Sequence, residues 1–453
     1  MQNRFSSKIT KALQQKDFKE VFTGGAVAFL YRISTMGVSY LLLFFISRKL
    51  GTEGVGIFNI CLTTSGILVM IGCVGFNTSI VRFVSQYRSE GYNVTIRRLY
   101  YHIVRYSTFV SLGLALALFF IAPLLAKSYF NDSKLVDPLR ITAVIVPLMV
   151  LSTINVEFIR GLKMVHISEY FRNLNIQVVT LIGTFTMAYY VLTPETPLKF
   201  YALGALISLL SGLVVIMKYF KSLDLKRKDG EPVFSFKTHL IISYPMIITA
   251  FVQLINGKVD ILMLGYFDST SSVGVFSMAF KLSVITNFVI GALKTIAMPK
   301  VSELFWAKKM NELNSVLQKS TALIFLFAFP ISVSLFLFPE FILSLIKEEF
   351  VAGSATLRIF AVSQLINAGS GMVAVFLNMS GNQIFFTRVV IVTTSLNIIL
   401  NAILIPKMGI EGAAVATFVS TAVWNVVGVK FIYDRYHIKT FFNPLTVIKL
   451  LKR

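Results

Sequence analysis

The side chains with the greatest chemical capacity in this chain are ionisable groups set inside long apolar runs. Arg32 lies in an apolar stretch over 22–47, Lys258 and Asp260 in one over 240–266, Lys281 and Lys294 in one over 273–299, and Arg358 in one over 352–378. Glu157 sits near the end of another, beside Arg160. A charge held at the centre of a bilayer costs about 3 kcal/mol or more unless it faces protein or water, so such residues mark a path or a binding site. Here the cations outnumber the anions. A cavity of that sign favours an anionic ligand, and the guanidinium fork of Arg matches phosphate oxygens. A pyrophosphate-linked lipid fits that chemistry.

Each group carries a second reading. Arg32 is about ten residues from the end of its run, roughly 15 Å by helical rise. It shares a face with Thr35 and Ser39, and either lines a cavity or reaches back to the headgroups. Asp260 continues a polar stripe with Gln253 and Asn256 at spacings of three and four, while Lys258 points elsewhere. Asp260 either pairs with Lys281 or Arg358, or takes up a coupling cation or proton. Lys294, near the end of its run, reads as snorkelling. Gln364, Asn367, Gly371 and Asn378 form one stripe, and Thr394, Asn397 and Asn401 another. Polar residues at that spacing glue helices together or hydrogen-bond sugar hydroxyls. The substrate-binding candidates are Arg32, Lys258, Lys281, Arg358, Asn256, Asn367 and Asn397, with Asp260 as the ion-coupling candidate.

The elements that must carry these residues follow from composition. Of 453 residues 55% are hydrophobic and 14% charged, with a mean hydropathy of +0.74. Soluble chains are about 25% charged. Crossing a bilayer takes roughly 20 apolar residues in a helix, and unpaired backbone cannot face lipid. The runs lack the short alternation of barrel strands. An all-α polytopic membrane protein is expected, with twelve spans at about 22–47, 54–80, 103–127, 138–160, 173–192, 198–218, 240–266, 273–299, 316–346, 352–378, 384–405 and 412–433. The charged stretch between spans six and seven divides the chain into an N-lobe over 22–218, a linker over 219–238 and a C-lobe over 239–434. Segments 1–21 and 435–453 flank them.

Net charge is +22, from 43 Lys and Arg against 21 Asp and Glu. With the N-terminus inside, the cytoplasmic segments hold 29 of the basic residues and the outside segments 7. This is the positive-inside bias, so the excess is topology rather than a nucleic-acid footprint, and both termini are expected in the cytoplasm. The outside loops are too short for a folded domain. The start, Met1 to Glu20, is polar and has no small-residue cleavage site, so it does not read as a signal peptide. Cys61 and Cys73 are too far apart on one helix for a disulfide. The four histidines have no ligand spacing, and neither a metal nor a cofactor is called for.

The two halves resemble each other. Leu50-Gly51 followed by Val55-Gly56-Ile57-Phe58 parallels Leu264-Gly265 followed by Val273-Gly274-Val275-Phe276. The offset of 218 residues from Gly56 to Gly274 also aligns Arg82 with Lys300. Copies of like orientation predict a parallel duplication, with a cavity between two six-helix lobes.

Three stretches carry a family likeness. LGTEGVGIFNI followed by GCVGFNTSIVRFVSQ, then Asn256 to Ser283 (NGKVDILMLGYFDSTSSVGVFSMAFKLS), then Leu396 to Thr421 (LNIILNAILIPKMGIEGAAVATFVST) occur in order. Together they resemble the polysaccharide or oligosaccharide flippase family of the multidrug/oligosaccharidyl-lipid/polysaccharide exporter superfamily. The resemblance implies a flippase for undecaprenyl-pyrophosphate-linked oligosaccharide repeat units in a prokaryotic inner membrane, alternating access around a cationic cavity. A monomeric transport unit is expected, and the resemblance implies a polysaccharide polymerase and glycosyltransferases as functional neighbours. Asp260 matches the family pattern. Lipid II flippases of the superfamily generally have two more spans, a departure that weakens that reading here.

Two other readings compete. A cationic-drug antiporter of the related extrusion branch would want an acidic cavity. A membrane-embedded transferase or polymerase would need a larger aqueous domain or paired carboxylates, and the sequence shows neither.

Overall fold

A computed structural model of the protein describes residues 16–190, 192–223, 226, 231, 235–241, 243 and 258–444. Helices account for most of these residues, with no strand among them. The first helix, α1 (Lys16–Gly72), and the last, α15 (Gln383–Tyr436), run for 57 and 54 residues. At about 1.5 Å per residue either would be more than twice the ~30 Å thickness of the hydrocarbon core. Each is broken instead at a glycine with positive φ, Gly51 (φ 69°) and Gly409 (φ 56°), a conformation open to glycine at no steric cost. Each long element therefore supplies two spans.

Between them lie α2 (Phe76–Glu90), α3 (Asn93–Leu124), α4 (Val136–Gly161), α5 (Val165–Glu169), α6 (Asn175–Met187) and α7 (Thr196–Lys221). The second half continues with α8 (Val259–Phe267), α9 (Thr270–Ser283), α10 (Asn287–Trp306), α11 (Met310–Leu337), α12 (Pro339–Ser344), α13 (Ser354–Ser370) and α14 (Val373–Met379). Each of the twelve expected spans coincides with one or two of these helices, although most of span seven lies outside the described residues. Among the described residues, seven helices are by themselves long and apolar enough to cross a membrane.

The chain forms two compact units: Met1–Phe45, Ser65–Ile121 and Leu139–Ile248 in one, Ile46–Thr64, Ala122–Pro138 and Thr249–Arg453 in the other. The first is built on a core of Phe76, Phe83, Ile96, Tyr100, Ile154, Phe158 and Ile216. Tyr100 donates to Asn155 Oδ1 at 2.8 Å within it, so the buried phenol is satisfied. The linker is anchored to this unit. Glu231 accepts from the amide and hydroxyl of Thr95 at 2.7 and 2.8 Å, placing a carboxylate at the start of α3 where the helix dipole favours it. His239 bonds Tyr87 at 2.8 Å, and Ser243 bonds Ser79 at 2.6 Å. Cys61 and Cys73 are both buried and unbridged.

The second unit joins the outer segments of the first half to the second half, and here the internal repeat becomes visible. A Cβ on Gly56 would collide with the carbonyl of Thr270, and one on Gly274 with the carbonyl of Thr52. Thr52 and Thr270 are themselves 218 residues apart, so the two repeats cross through equivalent surfaces, as in a two-fold dimer interface. Each threonine also meets a carboxylate from the opposite half. Glu349 accepts from the Thr52 amide at 3.1 Å, and Asp132 accepts from the Thr270 hydroxyl at 2.7 Å. Lys134 pairs with Glu53 at 2.6 Å, Lys347 with Glu349 at 2.5 Å, and Arg48 reaches the Leu345 carbonyl at 2.8 Å. All of these residues belong to loops or helix ends that the basic-residue count assigns to the outside.

Candidate functional site

Asp260 stands in the first turn of α8 and is 3% exposed. Both arms of α15 reach it. Asn401, on the arm before Gly409, donates to Oδ1 at 2.5 Å, and Thr417, on the arm after it, donates to Oδ2 at 3.0 Å. The break at Gly409 is thus what lets one element present two donors to one carboxylate. Asn401 also donates to Asn397 Oδ1 at 3.1 Å, one turn earlier. The Oδ1 atom of Asn401 is buried without a hydrogen-bond partner among the described residues. A carboxylate and an amide oxygen with spare lone pairs, side by side, are the groups a hard cation takes as ligands.

Asp260 opens onto a cavity of about 470 Å³ within the second unit. Asn367, Asn397, Gln364, Asn287, Thr393, Thr417 and Ser420 give it polar walls, and Phe280, Phe360 and Trp424 apolar ones. Asn367 donates to Asn287 Oδ1 at 3.3 Å, tying α13 to α10. Amides and hydroxyls beside aromatic faces can bind both the edges and the faces of sugars.

The structure therefore brings together Asp260, Asn367 and Asn397 of the expected set. Lys258 immediately precedes α8 and Lys281 lies in the last turn of α9, in the same unit but not among the residues that line this cavity. Of the two alternatives for Asp260, the pair with Arg358 is not formed. Arg358 instead binds Glu340 at 2.7 Å and the Phe336 carbonyl at 3.3 Å, with its side chain 40% exposed. The physical reason is reach: α13 runs beside the end of α11 and α12, where an exposed carboxylate is the nearer partner. Asn256 lies outside the described residues, as do the side chains of Arg32 and Lys294. Glu157 is buried in the first unit, where Arg172 at 2.5 Å and Arg160 at 3.7 Å satisfy it.

Sequence reasoning missed Asn287, Thr417, Ser420 and Trp424. The last three fall at helical spacing on one face of the second arm of α15, a stripe that a count of polar positions after Gly409 would have found.

Similarities to known proteins agree with this geometry. The family model described as polysaccharide biosynthesis protein matches residues 21–305, and a MatE model matches 245–403. The probable low-salt glycan biosynthesis flippase Agl15 of Haloferax volcanii is 25% identical over 245 residues. That alignment covers 52% of this chain and 51% of the relative, so the chain spans about half the length of the flippase it matches. Among solved structures, the lipid II flippase MurJ in an inward closed conformation superposes with a TM-score of 0.71 at 15% identity, covering 95% of this chain and 90% of that one. An inward-facing multidrug resistance MATE family transporter gives a TM-score of 0.69 at 11% identity, covering 90% and 98%. By these matches the chain belongs to the polysaccharide biosynthesis protein family, and it has the all-α, two-lobed polytopic fold that MurJ shares with the MATE transporters.

Proposed function

We propose that this protein is a flippase that moves undecaprenyl-pyrophosphate-linked oligosaccharide repeat units across the cytoplasmic membrane by alternating access. The observation that supports the reading is the polar cavity beside Asp260, able to hydrogen-bond a glycan, in the unit that also holds Lys258 and Lys281. Two ammonium groups complement the two phosphates of a pyrophosphate. The amide- and hydroxyl-rich wall suits the attached sugars, and Arg32 supplies a further cation in the substrate path. Asp260 is the coupling group. Proton or cation uptake there would change its bonds to Asn401 and Thr417, and with them the relation of α8 to both arms of α15. The transport unit is a monomer with both termini in the cytoplasm, fed by glycosyltransferases and emptied by a polymerase. No step of bond chemistry is assigned to it.

The match of a MatE model to residues 245–403 favours one second reading, a multidrug or cation antiporter. A liposome assay separates the two. Purified protein is reconstituted with a fluorescent pyrophosphate-linked oligosaccharide lipid, and the fraction reaching the opposite leaflet is scored. Protein-dependent translocation that disappears with the lipid monophosphate supports the flippase. Efflux of cationic dyes with no translocation of any glycan lipid moves the protein to the antiporter branch.

A further inference from the structure

A second cavity, about 590 Å³, shares no lining residue with the site described above, and the proposed transport reaction does not use it. Its walls come from the end of α13, the second arm of α15 and the segment that follows α15. Val426, Val429, Tyr433 and Phe441 line it, and three of these present large apolar surfaces outward: Val426 is 62% exposed, Tyr433 44% and Phe441 40%. In a bilayer such surfaces meet acyl chains. At its deep end Ser370 and Asn425 close it with a hydrogen bond to each other.

The mouth is different. Lys430 and Lys439 are its two charged linings, and no acidic side chain lines it among the described residues. Asp434 lies one turn beyond Lys430 on α15, exposed, and the two form no ion pair among the described contacts. The second lysine is not on a loose tail. The chain turns at His437 (φ 53°), and the Lys439 amide then donates to Asn314 Oδ1 at 2.9 Å. Thr321 donates to the Thr440 carbonyl at 2.7 Å, and the Phe442 amide donates to the Gly369 carbonyl at 2.7 Å. The Phe442 ring stacks on Phe325 with centroids 3.9 Å apart. These contacts hold Lys439 and Phe441 across the end of the bundle, so the groove has a fixed wall of opposite character at each end.

We propose that this groove is a binding site for one anionic phospholipid of the leaflet on the C-terminal side. The headgroup phosphate lies between Lys430 and Lys439, and an acyl chain lies along Val426 and Val429. Lysine suits this role as a compact point charge on a flexible apolar stem, which can follow a headgroup while its methylenes cover the chain. Basic residues at a membrane surface attract anionic lipid in this way. The site is separate from the pyrophosphate path, so it stands or falls independently of the flippase reading.

The test uses the full-length protein in detergent, with phosphatidylglycerol and phosphatidylcholine as probes and native mass spectrometry counting the lipid retained. The expected result is one phosphatidylglycerol held in preference to phosphatidylcholine. Lys430→Ala and Lys439→Ala should each weaken that retention about fivefold. Val429→Trp, which fills the groove and leaves both charges, should also abolish it. Equal retention of the two lipids by the wild-type protein overturns the proposal, and that measurement needs no variant to fold. Unchanged retention in the double lysine variant also overturns it. Displacement of phosphatidylglycerol by an equal concentration of polyprenyl phosphate would assign the groove to a carrier lipid and overturn it as well.

Discussion

Gly56 and Gly274 make the same contact in opposite directions, each closing on the backbone carbonyl of the threonine that lies four residues before its repeat-mate. Neither position has room for a methyl group, because the opposing atom is backbone and cannot swing aside. Gly56→Ala and Gly274→Ala should therefore each destabilise this crossing by about 1–3 kcal/mol, the usual cost of overpacking. The two losses should be similar because the sites are equivalent. Gly66→Ala on α1, where nothing stands within 4 Å, is the control and should be close to neutral. Thermal unfolding followed by tryptophan fluorescence checks all three. A neutral Gly274→Ala would show that the repeats do not meet there in the membrane.

The crossing also shows which parts of the molecule the sequence disclosed. Apolar run length located the spans, since lipid demands it everywhere, and the Val-Gly-apolar-Phe pattern located the repeat. The breaks at Gly51 and Gly409 follow from the length of runs that could not cross the bilayer once. Partners of single side chains were harder to read. The stripe containing Asp260 announced a polar face, but a sequence pattern does not say whether a cation or an amide meets it, and Asn401 and Thr417 come from helices 141 and 157 residues away. Arg358 sits in an apolar run with no partner legible beside it, and the partner it takes, Glu340, comes from the preceding helix, 18 residues earlier.

Around the same crossing, Glu349 gives a pH dependence of definite sign. Its bond to Lys347, and then that from the Thr52 amide, hold its carboxyl below the usual range. A depressed folded-state value means the contribution is complete above the unfolded-state value and is lost as pH falls through the folded one. Acidification below the ordinary carboxylate range should thus loosen the Thr52 contact, while alkaline pH should not. The side chain is 47% exposed, so solvent screening keeps the effect small. Accessibility of a cysteine at Ser271, titrated with a thiol reagent against pH, reads it out. Glu349→Gln should remove the acid-dependent part. Persistence of that part in the variant would assign it to another group.

Asp260, Asn401 and Thr417 should separate packing from coupling. Thr417→Val removes one donor and should cost about 1 kcal/mol, in the range found for interhelical hydrogen bonds in membranes, with transport retained. Asp260→Asn keeps the shape but removes the charge that a proton or cation would neutralise. Its expected phenotype is translocation that no longer responds to an imposed ion gradient, at normal protein abundance. The reconstituted assay run under sodium, potassium and proton gradients measures this. Gradient-dependent transport in Asp260→Asn would remove the residue as the coupling site.

Arg32, Lys258 and Lys281 carry the substrate reading, so their replacement is the most direct challenge to it. Lys281→Ala and Lys258→Ala each leave one ammonium where a pyrophosphate would meet two. Each should reduce glycan-lipid translocation several-fold, and the double variant more than tenfold, while abundance in the membrane stays at the wild-type level. Arg32→Ala should fall in the same class. Thermal stability of the lysine variants, measured beside transport, should stay near the wild-type value. Stability held while transport falls distinguishes a binding site from a structural one: a structural role would lower stability and export together. Arg358→Ala serves as the reference, since its exposed pair with Glu340 belongs to the class worth about 0–1 kcal/mol, and its transport should be near normal. If Arg32→Ala, Lys258→Ala and Lys281→Ala all translocate as well as Arg358→Ala, the anionic substrate is not recognised by these charges.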